Sequence, residues 1–407
     1  MWLFENKKRG CSRIVKIFGN VVYIVTNGYK KRTQRFLGNL ILTLKVKLED
    51  DTEIKSTKVF GKEITKRIED ENYRKVYFLE KLVCSKNLKQ IFQEKNRKYF
   101  NGYDDVLILN ANSGEIYLFL TYLLVPFLKK INSTNFILVA TKKYHVDLIK
   151  LLWADVPYIY IPKLEKNFKN LCTTINRQRF FTLFRGEHFI KVEQDIKNNP
   201  IDTSHYFYSI IDELKIDEKD LDFREAKVPA GIHHSLLKKI KKTKLNLNNF
   251  VFIAPEAVSC EEYDNDFWVD LCEEFNNAGI DVFMNIVDKD TDIIGCDYKT
   301  CKLTFSEAFA LAKLSKGVVS LRSGLTESLL QTNVPLFSLY TKFRNRYVFN
   351  DMAVEFVLSG FGLNKLPNIN PDNLYEFNMS ELSNKNVLMQ IVNSFTVKKQ
   401  QEKDLCK

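Results

Sequence analysis

The chain has 407 residues, 45% of them hydrophobic and 13% aromatic, enough for two medium domains plus an appendage, and this excludes a disordered chain. Its formal net charge of +11 favours an anionic partner: a membrane surface, a nucleotide, a phosphorylated acceptor or nucleic acid. Eight cysteines (Cys11, Cys84, Cys172, Cys260, Cys272, Cys296, Cys301 and Cys406) form no C-x-x-C pair, which argues against a zinc knuckle or a disulfide framework and fits a reducing cytosol.

The opening Met-Trp-Leu-Phe-Glu runs into Lys7, Lys8 and Arg9 without the apolar core of a secretory signal, so no export is expected. Residues 1–100 then carry a weak internal repeat: "KIFGNVVYIV" from Lys16, "RFLGNLILTL" from Arg35 and "KVFGKEITKR" from Lys58. Gly-Asn and Gly-Lys between β-rich runs predict hairpins with type II′ turns, because glycine supplies the positive φ. A β-rich basic appendage follows. Its Lys7, Lys8, Arg9, Arg13, Lys30, Lys31, Arg32, Lys45 and Lys47 either face anionic lipid headgroups or are solvated hairpin faces.

Residues 101–240 alternate strands and helices. Val106 to Leu128 is apolar enough to imitate a membrane span, but Asn110, Asn112, Ser113, Gly114 and Glu115 interrupt it, so a strand, a loop and a helix are predicted. "NFILVATKKYHVDLIKLLWADVPYIYIP" continues the βαβ pattern of a Rossmann-like half. A lysine-rich run over 227–244, with Pro229, Gly231, His233 and His234, reads as the connection to a second half over 241–370. There "FVFIAPEA" predicts a strand and turn, "DFWVDLCEEFNNAG" a helix closed by Gly279, and "IDVFMNIV" a strand. "TFSEAFALAKLS" predicts a helix with a Thr304–Glu307 capping box, and "GVVSL" and "VPLFSLY" two more strands. Residues 371–407 are expected to be a helical tail. The fold class is α/β: two Rossmann-like βαβ domains facing a cleft, with an N-terminal β-rich basic appendage.

In open parallel sheets ligands lie off the carboxyl ends of the strands. "GVVSLRSGLTES", residues 317–328, places Arg322, Ser323 and Gly324 at such an end, before a helix whose free N–H groups favour an anion. Arg322 offers a planar fork for phosphate oxygens, Ser323 an N-cap hydroxyl and Gly324 close backbone approach. Alternatively Ser-Gly only caps the helix and Arg322 pairs with a carboxylate such as Glu256 or Glu327.

The stretches "FVFIAPEAVSCEEYDNDFWVDLCEEFNNAGIDVFMN" and "LTFSEAFALAKLSKGVVSLRSGLTESLLQTNVPLFSLYT" resemble the donor domain of bacterial GT-B glycosyltransferases related to the ADP-heptose:lipopolysaccharide heptosyltransferases. "VLILNANSGEIYLFLTYLLVP" is similar to that family's first strand, loop and helix, so the likeness runs over most of residues 104–345. It implies that Glu115, directly after Gly114, stands where the family places its catalytic aspartate. It further implies a donor site at Pro255, Glu256, Ala257, Arg322, Ser323, Gly324 and Glu327, and acceptor contacts at Asn112, Ser113 and Arg185 on the first half. Several positions depart from the family pattern. Glu256 replaces a glycine, Glu327 stands where a histidine is usual, Arg322-Ser323-Gly324 occupies an Asp-(Ser/Thr)-Gly position, and the lysine expected before Trp268 is missing. A nucleotide sugar other than the heptose donor is therefore expected, with Arg322 replacing the absent cation.

Asp288-Lys289-Asp290 is formally a metal-holding D-x-D, but it sits in an acidic loop of ordinary kind, and His233-His234 has no carboxylate or cysteine at ligand spacing. No metal and no cofactor are expected, the nucleotide sugar being a co-substrate. "NRQRFFTLFRGEHF", residues 176–189, mixes arginines with aromatics as an acceptor surface or a packed edge. The function implied is an inverting transfer of sugar from a nucleotide-sugar donor to a cell-surface glycan or glycolipid acceptor of lipopolysaccharide, lipooligosaccharide or capsule type. The expected location is cytoplasmic, with peripheral contact at the inner face of the anionic membrane and no nucleic-acid partner. The alternatives are a nucleotide-sugar hydrolase or 2-epimerase and a non-enzymatic basic protein binding membrane or nucleic acid.

Overall fold

The computed structural model describes residues 4–405 except 10–11, 18–19, 29–30, 37–40, 48–51, 70–72, 88–97, 163–172, 176, 185–187, 189–190, 193, 196–202, 258–259, 288–292, 294, 343–353 and 381. The chain divides into two compact units. One comprises Met1–Val106, Lys163–Thr182 and Asn345–Asn350, and the other Leu107–Pro162, Leu183–Arg344 and Asp351–Lys407.

The first unit is built on a nine-stranded antiparallel meander in sequence order: β1 (Phe4–Arg9), β2 (Ser12–Ile17), β3 (Asn20–Gly28), β4 (Lys31–Phe36), β5 (Ile41–Lys47), β6 (Glu53–Val59), β7 (Lys62–Glu69), β8 (Tyr73–Phe78) and β9 (Lys81–Asn87). Among the described residues of these strands only Ser56 is buried, and the rest are part-exposed or exposed. Phe60 and Gly61, between β6 and β7, have φ of 48° and 79°, and Leu79 and Glu80, between β8 and β9, have 47° and 67°. Two successive positive φ values define a type I′ turn, not the type II′ that glycine alone suggested; I′ matches the right-handed twist of the flanking strands. The Gly-Asn turns of the first two repeats lie outside the described residues. In the same unit Arg179 grips the buried carboxylate of Asp105 with Nε and Nη2 at 2.5 and 2.6 Å.

The second unit contains both α/β halves. In the first half, Phe136–Ala140 pairs in parallel with Tyr158–Tyr160 and lies between it and Asp105–Leu109. The apolar run that imitates a membrane span is the strand Asp105–Leu109 and the buried helix starting at Ser113. Pro126 has no N–H to offer the Tyr122 carbonyl. The helix loosens into a π turn over Phe119–Leu123. Asp222 and Arg224 N–H groups then bond the Tyr122 and Thr121 carbonyls at 3.1 and 2.8 Å, and Trp153 Nε1 bonds Leu120 O at 2.7 Å. Among the described residues no helix is long and apolar enough to cross a membrane.

The second half is an all-parallel sheet of five strands in the order Asp281–Met284, Phe250–Ala254, Val318–Leu321, Leu336–Tyr340 and Leu374–Asn378. Strand order reverses between Phe250–Ala254 and Val318–Leu321, which is where an open sheet leaves a crevice for a ligand. The capping box forms as the sequence predicts, Glu307 Oε2 accepting from Thr304 N–H at 2.8 Å and Thr304 Oγ1 from Glu307 N–H at 3.3 Å. The helix Asn265–Asn277 closes at Gly279, φ 69°. Residues 371–407 differ from the expected tail. Leu374–Asn378 is the fifth strand, and Val387, Ile391 and Phe395 of the helix Asn384–Leu405 are core residues packed with Phe267, Leu271 and Phe275. The short run "LYEFN" has one clear alternation, too little for a strand signal, yet pairing with Leu336–Tyr340 recruits it.

Gly317 precedes the third strand with no room for a side chain. A Cβ there would lie 2.5 and 2.6 Å from ring carbons of Phe395 and 2.9 Å from Pro335 O. Gly317→Ala is therefore expected to cost roughly 1–3 kcal/mol by overpacking, read as a lower urea midpoint at unchanged slope. An unchanged midpoint would mean that the C-terminal helix does not press on this strand.

Candidate functional site

The residues after the first and third strands of the second half flank the reversal point. Pro255 is buried, and Glu256 and Ala257 are part-exposed; the Glu256 carboxylate accepts from Val287 N–H at 2.6 Å. After Val318–Leu321, Ser323 caps the helix Gly324–Leu329, its Oγ accepting from Thr326 N–H at 3.4 Å, with Thr326 Oγ1 accepting from Ser323 N–H at 3.0 Å. Cys260 Sγ donates to Arg322 O at 3.1 Å and ties the two strand ends together.

Arg322 itself is 6% exposed. Its Nε donates to Phe361 O at 3.1 Å, Nη1 to Ser323 O at 2.9 Å, and Nη2 to Glu327 Oε1 at 2.7 Å and to Tyr206 Oη at 3.3 Å. Of the two carboxylates the sequence offered as partners, the structure pairs Arg322 with Glu327. Burial, then the Glu115 carboxylate, pushes the Glu327 carboxyl well above the ordinary range. Arg322 Nη2, 2.7 Å from Oε1, gives that carboxyl a buried salt-bridge partner.

The first half brings its own helix start to the same place. Asn112 is exposed, Ser113 part-exposed, and Gly114 and Glu115 are buried at the beginning of the helix Ser113–Leu118. A Cβ on Gly114 would fall on the Glu327 carboxylate, and one on Gly324 on Ser113 Oγ and Gly114 N. The two starts abut glycine against glycine, so the space between the halves is closed at this point. Glu327 Oε2, facing Gly114, has no hydrogen-bond partner among the described residues.

Glu115 has a neighbour that sequence reasoning missed. His188 Nε2 lies 3.8 Å from Glu115 Oε1, and His188 Nδ1 and backbone N–H reach Glu213 Oε2 at 2.6 and 3.1 Å. Burial alone would pull the His188 pKa down; the nearby Glu115 carboxylate and the hydrogen-bonded Glu213 carboxylate outweigh it and raise the pKa. An imidazole between two carboxylates is thus held protonated. His205 beside Tyr206 is the opposite case: burial, then Arg322 and Lys365, lower its pKa to about 3, and it stays neutral. The only sequence cue for His188 is its place in the arginine–aromatic stretch. Glu213, on an amphipathic helix, reads as a solvated acid.

The other sequence candidates do not join this cluster. Arg185 and the Asp288-Lys289-Asp290 loop lie outside the described residues. His233 and His234 are exposed, and among the described residues no three His, Cys, Asp or Glu side chains gather as metal ligands.

No known family pattern matches the sequence, and no curated protein matches it. Among solved structures the chain is similar to the Escherichia coli ADP-heptose lipopolysaccharide heptosyltransferase II, at 12% identity over 73% of this chain and 99% of that one, TM-score 0.45. It is also similar to a family 9 glycosyl transferase of Veillonella parvula, at 10% identity over 72% and 97%, TM-score 0.43. A third likeness is to accessory secretory proteins 1, 2 and 3 of Streptococcus pneumoniae, at 11% identity over 100% and 78%, TM-score 0.28.

His188 should leave a pH signature. A folded pKa above the ordinary histidine value of 6.5 means that its contribution to stability is fully present below that value. The contribution is lost as pH rises through the raised folded value. The stability gap between the parent and His188→Gln, measured by urea denaturation, should therefore shrink from pH 6 toward pH 9 (on the order of the window set by a raised histidine). A gap that widens with pH would contradict the protonated imidazole. For the ion pair, Arg322→Leu leaves a buried carboxylate and is expected to cost about 3–5 kcal/mol, and Arg322→Leu with Glu327→Leu to recover most of it.

Proposed function

We propose that the protein is an inverting glycosyltransferase that moves a sugar from a nucleotide-sugar donor to a growing cell-surface glycan or glycolipid. The observation that carries this function is the convergence of two helix starts at the reversal point of a parallel sheet, with the buried carboxylate of Glu115 backed by His188 and Glu213. In the proposed step, the acceptor oxygen bonds to the anomeric carbon on the face opposite the donor diphosphate. The bond from that carbon to the diphosphate oxygen breaks with its electron pair, and Glu115 takes the acceptor hydroxyl's proton. Glu213 holds His188, and His188 keeps Glu115 aimed as a positioning residue.

The donor would lie over Pro255, Glu256 and Ala257, with its diphosphate at Ser323 and Gly324 and exchanged for Glu327 as the partner of Arg322. This requires the two glycine starts to part. Asn112, Ser113 and Arg185 are the proposed acceptor contacts, and the basic meander the proposed contact with an anionic membrane face. A second function, that of a non-enzymatic binding protein, is favoured by the closed glycine contact and the internal use of the Arg322 fork.

Glu115→Gln is expected to lower transfer from labelled donor by roughly 10²–10⁴-fold, the range for a lost general base, with donor affinity nearly intact. Normal transfer by Glu115→Gln would remove the residue from the chemistry. Labelled sugar released or epimerised without acceptor would indicate the hydrolase or 2-epimerase, and a parent that consumes no donor the non-enzymatic function.

A further inference from the structure

The meander combines two departures from ordinary hairpin chemistry. Type I′ turns favour glycine, asparagine and aspartate, because other side chains at positive φ strain the backbone. Here the first turn residues are Phe60 and Leu79, at φ 48° and 47°. Both are also out in water: Phe60 is 79% exposed and Leu79 54%, with Leu82 at 54% and Val83 at 60% beside them. A strained and exposed apolar residue at both of these alternate turns contributes nothing to the fold that glycine would not do better.

Both turns leave the sheet at the same end, since β6 to β9 run as a meander, and Leu79 N–H donates to Ile64 O at 2.9 Å, holding the turns side by side. Lys58, Lys62 and Lys81 flank the tip, together with Glu63 and Glu80. The charge of the whole region is one-sided. Residues 1–87 hold twenty Lys and Arg against ten Asp and Glu, which is +10 of the chain's +11. Five of those acids (Glu49, Asp50, Asp51, Asp70 and Glu71) fall in the sequence between β5 and β6 and between β7 and β8. An apolar tip in a basic sheet matches an anionic bilayer interface: apolar side chains enter the acyl boundary while lysines meet the headgroups.

We propose that the end of the meander bearing Phe60 and Leu79 inserts into the surface of an anionic membrane. This deepens the peripheral contact proposed above, and rests on it, by moving the binding energy from the basic faces to the apolar turns.

The substitution that tests it is also one the fold should welcome. Phe60→Gly with Leu79→Gly relieves positive-φ strain, so the double variant is expected to be at least as stable as the parent. Its sedimentation with phosphatidylcholine vesicles containing about a third phosphatidylglycerol should nevertheless weaken by at least about tenfold. A tryptophan at the tip, Phe60→Trp, should shift its emission to the blue on those vesicles. Equal vesicle binding by the parent and the glycine double variant, lost in high salt, would overturn the insertion and leave the electrostatic contact standing. A parent that ignores the vesicles would overturn both, as would binding of an RNA oligonucleotide or self-association through the tip in place of the vesicles.

Discussion

Gly114 and Gly324 meet where the first helix of one half and the helix after the third strand of the other begin, and no side chain larger than hydrogen fits between them. That contact removes a group of charges from water, and the rest of the site is arranged to compensate. Arg322 is used by Glu327, Tyr206 and two carbonyls, and His188 is held between Glu115 and Glu213. Two cations thus face three carboxyls in a buried row. Burial and the Glu115 carboxylate both raise the Glu327 pKa, and Arg322 is the cation that faces it. The same closure determines what a donor would have to do, because its phosphates must displace a carboxylate and not merely fill a vacant fork.

Local chemistry was legible where one residue type answers one backbone demand. The Thr304–Glu307 capping box, the Gly279 helix end and the break at Asn110–Glu115 in the apolar run all stand as read. The strand end at Arg322 was legible too, but its partner was not, since Glu256 and Glu327 are equally good acids in sequence and only the packing of the second half selects between them. His188 and Glu213 are 25 positions apart and join through the fold. A histidine inside an arginine–aromatic stretch carries no mark of being buried between carboxylates. The turn type was missed for a related reason: glycine signals positive φ at its own position and says nothing of Phe60 before it.

The smaller unit has the opposite economy. Among its described residues the sheet buries almost no side chain and gains little from core packing, so its stability comes from the ladder and cross-strand pairs such as Glu69 with Arg74 at 2.7 Å. Such a surface is free to concentrate charge and apolar turns as a docking site requires, whereas the larger unit buries Arg322, Glu327, Glu115, His188 and Glu213 in one row.

The central claim is that the row around Arg322 is a closed diphosphate site in which Glu327 occupies the donor's place. Calorimetric titration of a nucleoside diphosphate into Glu327→Gln and into the parent tests it most directly, with the bare nucleoside as control. Neutralising the competing carboxylate should tighten diphosphate binding by about tenfold or more while leaving nucleoside binding unchanged. Equal diphosphate affinity in the two proteins, or none in either, would mean that Arg322 and Glu327 are a structural pair and that no donor is bound between these helix starts.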